Sequence, residues 1–202
     1  MSIAVNEIKA KPLDAKLLQM EGISRRQIEE HYTLYEGYVK KTNEIRSKLP
    51  NADKSAANQS YSDLRELKVE LSFTLNGVKL HEAYFGNLGA AGAPSDRLKK
   101  LIEQSYGSMD EWEADLKASG IAARGWVICA YDFDENRLCN YIADSHNSYG
   151  VWNAVPILVL DTYEHAYVID YGVKRPPYIE AFMKNINWNV VNERVDGIET
   201  GR

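Results

Sequence analysis

No stretch of this chain approaches the roughly 20 consecutive apolar residues that a bilayer-spanning helix requires. The first residues, MSIAVNEIKAKPLDAK, also lack the apolar stretch of a secretory signal, and acidic residues interrupt any organelle-targeting pattern. The expectation is a cytoplasmic protein with no membrane partner. Cysteine is scarce: Cys129 and Cys139 are the only two, and they lack CxxC spacing, which predicts reduced, buried thiols in neighbouring strands. Positive charge is in deficit, with 24 Lys and Arg against 29 Asp and Glu and a formal charge of −5. That balance excludes a general nucleic-acid partner but is compatible with a local positive funnel for a small anion. The P-loop, GxGxxG and GxSxG motifs are missing. Asp132-x-Asp134-x-Asn136 begins like a calcium loop, but Arg137 stands where such a loop needs glycine and Ala143 where it needs glutamate, so it reads as a hairpin turn.

What is present is an ordinary globular composition, 45% hydrophobic and 26% charged over 202 residues, enough for one large domain or two intimately packed halves. The first half reads as helical. Ser24 and Gln27 give a capping-box start, and Ile28, His31, Tyr35, Tyr38, Thr42 and Ile45 recur on one helix face. Leu64, Leu67, Leu71, Leu75, Val78, His81, Phe85 and Leu88 form a similar stripe, so the two helices should pack as an antiparallel hairpin. GAAGAPSD, residues 89–96, is the clearest composition break and divides the chain into a helical hairpin domain, 1–90, and an α/β domain, 91–202. Short helices should follow Ser95 and Ser108. Gly125–Phe133, Arg137–Ser145 and Val155–Leu160 read as strands of a small three-stranded antiparallel sheet, with Tyr167–Tyr171 a candidate further strand. Pro176-Pro177 opens a last helix, YIEAFMKNI. The fold class is α+β.

Four histidines punctuate this pattern: His31, His81, His146 and His165. His31 and His81 lie on the inner stripes of the two facing helices, which allows their imidazoles to converge. His165 follows a buried strand end in Asp161-Thr-Tyr-Glu-His165, which offers a carboxylate and imidazole pair. With no soft sulfur among them, these donors suit Fe, Mn or Zn better than Cu(I).

The run GWVICAYDFDENRLCNYIADSHN…VPILVLDTYEHAYVIDYGVKRPPYIEAFMKNINW resembles the C-terminal half of the iron/manganese superoxide dismutases. Asp161-Thr-Tyr-Glu-His-Ala-Tyr167 matches that family's Asp-x-Trp-Glu-His-Ala-Tyr signature except at Tyr163. Ile23-Ser24…His31 resembles its first ligand helix, and Asn76-Gly77…His81…Phe85-Gly-Asn-Leu88 its second. The resemblance implies that His31, His81, Asp161 and His165 hold one Fe or Mn ion per subunit, between the two domains. It implies an antioxidant oxidoreductase that converts superoxide to dioxygen and hydrogen peroxide by alternate reduction and oxidation of that ion. His146, in Asp144-Ser-His-Asn147, resembles the archaeal type and is expected to hydrogen-bond the metal-bound solvent. Arg175 matches a basic residue near the family's active-site mouth. Glu164 and Tyr167 imply a homodimer, or a tetramer built from it, in which Glu164 reaches His165 of the other subunit.

Departures from the family pattern concentrate around the site. Its gateway tyrosine lies eight residues after the first histidine, whereas here Val39 holds that place and Tyr38 lies seven after. Seven helical residues turn about 700°, roughly −20° net, so Tyr38 still faces as His31 does. Tyr35, where the family has histidine, competes for that role. Phe85 and Tyr163 occupy positions commonly held by tryptophan, and Gly77 stands where many iron enzymes have glutamine. Two other readings are a catalytically weak metal-binding dimeric scaffold and a hydrolase using Asp161 and His165 as an acid–base dyad.

Overall fold

The computed structural model describes residues 6–148 and 150–198. Helix α1 (Arg25–Lys48) begins where Ser24 Oγ accepts from the Gln27 N–H at 3.1 Å. The reciprocal half of the expected capping box is not formed: Asp170 takes the Ser24 N–H at 2.7 Å, and the Gln27 side chain turns inward. Helix α2 (Asp63–Gly86) packs against α1, and contacts run in opposite order along the pair, from His31 on Phe85 to Tyr38 on Phe73. The hairpin is therefore antiparallel. Its packing tapers: Val78, His81 and Tyr84 are buried, whereas Leu64, Leu67, Leu71 and Leu75 of the same stripe are only half-buried.

Helices α3 (Asp96–Tyr106) and α4 (Met109–Ala122) are opened by Ser95 and Ser108, whose hydroxyls accept from the third residue on. Strands β1 (Trp126–Asp132), β2 (Arg137–Ala143) and β3 (Ala154–Asp161) form one antiparallel sheet in the order β2-β1-β3. Asp132 Oδ1 accepts from the N–H groups of Asp134 and Glu135, so the Asp-rich segment is an Asx turn within the hairpin and not an ion loop. Cys129 pairs with Asn140 and Ala130 with Cys139, which sends the two free thiols to opposite faces of the sheet.

Two sequence expectations are corrected after β3. Tyr167–Tyr171 is not a strand: a 3-10 turn (Glu164–Ala166) and the single-turn helix α5 (Val168–Tyr171) occupy the region. Local bonds from Ala166 to Tyr163 and from Tyr167 to Glu164 satisfy the backbone there, leaving no edge to extend the sheet. Helix α6 (Arg175–Lys184) is as expected but not last, since α7 (Trp188–Asp196) follows it.

The main core lies between sheet and helices around Trp112, Trp126, Leu158, Tyr178 and Phe182, and a small cluster of Tyr35, Val39 and Val78 joins α1 to α2. One polar clamp ties α2 to β3. The Asn87 amide accepts from the Val159 N–H at 2.9 Å and donates to the Val159 carbonyl at 3.2 Å, imitating a strand. The largely buried Arg194 guanidinium braces it, donating to Asn87 Oδ1, the Ile157 carbonyl and the Ala83 carbonyl. Asn87→Ala strands the Val159 backbone pair in the core. It should lower unfolding stability by roughly 3 kcal/mol, read as a reduced urea midpoint at unchanged m-value.

Candidate metal centre

Four elements deliver the four candidate ligands. His31 comes from the buried stripe of α1, His81 from that of α2, Asp161 ends β3, and His165 lies in the turn beyond it. Their ligand atoms all lie within 4.8 Å of one another. Asp161 is the hub: its Oδ2 is 3.2 Å from His31 Nε2, 3.2 Å from His165 Nε2 and 3.7 Å from His81 Nε2. Its other oxygen accepts from the Tyr163 N–H at 2.9 Å, which turns Oδ2 toward the imidazoles. His31, His81 and Asp161 are fully buried, and the His165 side chain keeps 30% of its surface exposed.

The imidazoles are set up as ligands rather than as ion-pair partners. His81 Nδ1 donates to the Gly77 carbonyl at 2.6 Å, which leaves the lone pair on Nε2, facing the cluster. That Nε2 and both nitrogens of His31 are buried without a hydrogen-bond partner among the described residues. Burial, reinforced by the neighbouring His31, drives His81 down to about 3, and burial also lowers His31, so both rings are neutral at physiological pH. Burial pushes the Asp161 carboxyl up. The electropositive surroundings of the carboxylate, His165 foremost and then His31, outweigh it and hold the group below the usual carboxylate range. Orphaned buried nitrogens around one carboxylate are costly unless a cation occupies the space between them. Three nitrogens and one oxygen suit iron, manganese or zinc.

Around this cluster the aromatic residues divide by function. In the sheet register Trp126 is opposite both Asp161 and Ala143, so its indole reaches the loop after β2. There the Trp126 Nε1–H donates to His146 Nδ1 at 2.9 Å. An indole can only donate, so the proton of neutral His146 is on Nε2, which donates to Tyr38 Oη at 2.8 Å. Burial holds His146 low, at about 4, and keeps it neutral. Both ring nitrogens are thus taken. Neither nitrogen of His146 therefore has a proton or lone pair left for the contact with metal-bound solvent expected from the sequence, and the Tyr38 hydroxyl, accepting from His146, is left with its own proton to donate. The Tyr38 ring lies 5.4 Å from that of His81.

Tyr35 is turned away. Its hydroxyl donates to Glu82 at 2.9 Å and accepts from the Lys11 N–H, so of the two candidate tyrosines only Tyr38 joins His146. Arg175 is engaged with the end of α4. Its Nη1 donates to the carbonyls of Gly120, Ile121 and Ala123 at 3.3, 3.2 and 2.5 Å, capping the C-terminus of α4, and its guanidinium covers the Tyr167 ring. Tyr167 is buried and stacked on Tyr178, whereas Glu164 is exposed.

Sequence reasoning read Gln27 only as a capping residue. Its amide donates to the His165 carbonyl at 2.6 Å and accepts from the Ile169 N–H at 3.0 Å, fixing the ligand turn from α1. The available signal was its place one turn before His31 on the same stripe.

The profile described as iron/manganese superoxide dismutases, C-terminal domain, matches residues 94–194. A protein of Aquifex aeolicus named superoxide dismutase [Fe] is 52% identical over 195 residues, 93% of this chain and 92% of its own. One of Cupriavidus metallidurans with the same name is 38% identical over 182 residues, covering 88% and 91%. The Halobacterium salinarum protein named superoxide dismutase [Mn] 1 is 30% identical over 168 residues, 82% of each chain. The chain belongs to the iron/manganese superoxide dismutase family.

The lowered histidine pKa values have a measurable consequence in the metal-free protein. A histidine whose folded pKa is below its unfolded value binds fewer protons when folded, so it withdraws stability as the pH falls from about 6.5 through the folded value. Asp161 withdraws more as the pH falls below its unfolded value of about 3.9. The urea midpoint of the apoprotein should therefore drop between neutral pH and about 5, a range set by the histidines. His81→Gln should flatten that slope, and a slope unchanged in the variant would contradict the assignment.

Proposed function

We propose that this protein is a superoxide dismutase in which His31, His81, Asp161 and His165 hold one iron or manganese ion per subunit. The observation that carries the reading is the convergence of three imidazoles on Asp161 Oδ2, with buried nitrogens left unpaired. The chain's membership of the family supports it. When bound, the ion alternates between its +2 and +3 states, so that one superoxide is oxidised to dioxygen and the next is reduced to hydrogen peroxide.

The protein's own part is to exclude bulk water, orient the ligands and supply protons. Phe85 packs on His31 and Tyr163 stacks on His165, at 5.0 and 5.1 Å between ring centroids, and together they enclose the ligands in aromatic surface. Tyr38 presents a proton at its Oη to the reduced oxygen species. The His146 Nε2–H donates a hydrogen bond to the same oxygen and steadies the phenolate until a proton from solvent restores the phenol, and Trp126 holds the imidazole in the tautomer that donates. Arg175 contributes by holding the end of α4 beside Tyr167 and adds positive charge near the site.

The division into a helical domain, 1–90, and an α/β domain, 91–202, belongs to the same proposal, since each supplies two ligands. So does a homodimer through the Glu164 and Tyr167 region, or a tetramer built from it. Glu164 is exposed beside Val168 and Ile169, each more than a third exposed, which makes that face the natural seat of a second copy. No helix among the described residues is long and apolar enough to cross a membrane. We assign the protein to the cytoplasm as an antioxidant enzyme, where its two cysteines stay reduced.

The decisive experiment loads the apoprotein separately with iron and with manganese and follows superoxide decay. Fast decay with at least one metal is expected, and tight metal binding with slow decay for both would leave a metal-binding scaffold. Tyr38→Phe should retain metal while slowing turnover at high superoxide flux about 100-fold, the lower end of the usual contribution of a positioned proton donor.

A further inference from the structure

Three tyrosines outside the proton path form a line from His31 to the surface. The Tyr84 ring lies 5.1 Å from the His31 ring between centroids. Its hydroxyl is 3.0 Å from that of Tyr178. Tyr178 donates to the Asp161 carbonyl at 2.8 Å and therefore accepts from Tyr84, so the pair has one fixed polarity. The Tyr178 ring in turn lies 6.4 Å from that of Tyr171. Tyr84 and Tyr178 are 0% exposed, while Tyr171 reaches the surface, where its hydroxyl donates to the Gly22 carbonyl.

Phenols give up one electron more readily than imidazoles, carboxylates or amides. A continuous aromatic line of this kind lets an oxidising equivalent leave a buried centre in short steps. Trp126, Tyr163 and Tyr38 enclose the ligands themselves, and oxidising them would damage the machinery described above; Tyr35, 6.4 Å from the His81 ring, is tied instead to Glu82 and Lys11. The Tyr84–Tyr178 pair leads away from it, behind Asp161.

We propose that Tyr84, Tyr178 and Tyr171 form an electron-supply chain that protects the centre from hydrogen peroxide; the proposal rests on the metal-centre reading above. Hydrogen peroxide, the product of the proposed reaction, needs two electrons and two protons to become two water molecules. One electron comes from the reduced metal ion. The other passes from Tyr171 through Tyr178 and Tyr84. Tyr171 releases its hydroxyl proton to solvent and is left a neutral phenoxyl radical. One further proton enters from solvent to complete the two waters. An external thiol then returns a hydrogen atom to Tyr171 and carries the radical away as a thiyl.

The test uses the iron-loaded protein, reduced, then treated with hydrogen peroxide in the presence of a nitroso spin trap and digested for mass spectrometry. Iron content and superoxide decay are measured first, and absence of either refutes the metal-centre reading rather than the chain. With both present, the trap adduct is expected on Tyr171. It should be lost in Tyr84→Phe and in Tyr178→Phe, where adducts move to Trp126 or Tyr163 and peroxide inactivates severalfold faster. Tyr171→Phe should leave superoxide decay unchanged while also speeding peroxide inactivation. An adduct on Tyr171 that persists in both interior variants would mean that solvent-borne radicals reach it directly. No adduct on Tyr171 in the unaltered protein would mean that no electron leaves by this route. Either result overturns the proposal.

Discussion

The crowding of three imidazoles around the Asp161 carboxylate, in a volume nearly closed to water, is the constraint on which the rest of the structure depends. In the unfolded chain these groups are separately hydrated. Folding strips that hydration and leaves nitrogens of His31 and His81 without partners, a cost that local sequence does not offset. Larger elements impose the arrangement. The hairpin of α1 and α2 supplies two rings, the end of β3 supplies the carboxylate, and Gln27 and Asn87 lock the joints between them. A cation that binds only this assembled state stabilises the fold by mass action, so metal affinity and folding stability are two readings of one equilibrium.

A second layer of the site translates strand register into hydrogen bonding. Because Trp126 stands opposite Asp161 in the sheet, its indole shares the side of the sheet that holds the ligand and can fix the His146 tautomer. A shift of one residue would send that ring to the other face. The hydrogen-bonding state of a loop histidine is thus decided by strand pairing.

Much of the fold was legible because its signals are periodic. The two long stripes, the serine caps and the alternating strands each follow from spacing, and the sheet has the expected three strands. That His31, His81, Asp161 and His165 gather in one cluster was legible through a resemblance at four separated positions, supported by the helix stripes that carry His31 and His81. Directions of side chains were not legible. Arg175 could be matched to a basic position by resemblance, but its turn onto the α4 carbonyls depends on where α4 ends in space. Tyr35 and Tyr38 are both compatible with a helix face toward His31; a partner at Glu82 for one and His146 for the other separates them. The segment after His165 has β-branched and aromatic residues that favour a strand, and tertiary context overrides that preference because short local hydrogen bonds satisfy its backbone.

Gly77 links the two layers. A Cβ at this position would lie 3.0 Å from the Tyr38 ring and 3.3 Å from the His146 ring, closer than such contacts settle comfortably. The space that a side chain at 77 would enter from α2 is the space that His146 enters from the loop after β2. Two distant addresses in the sequence therefore describe a single volume with room for one occupant. Lineages that enlarge one address must shrink the other, so change here is expected to travel in pairs, with intermediates carrying either a hole or a clash beside Tyr38.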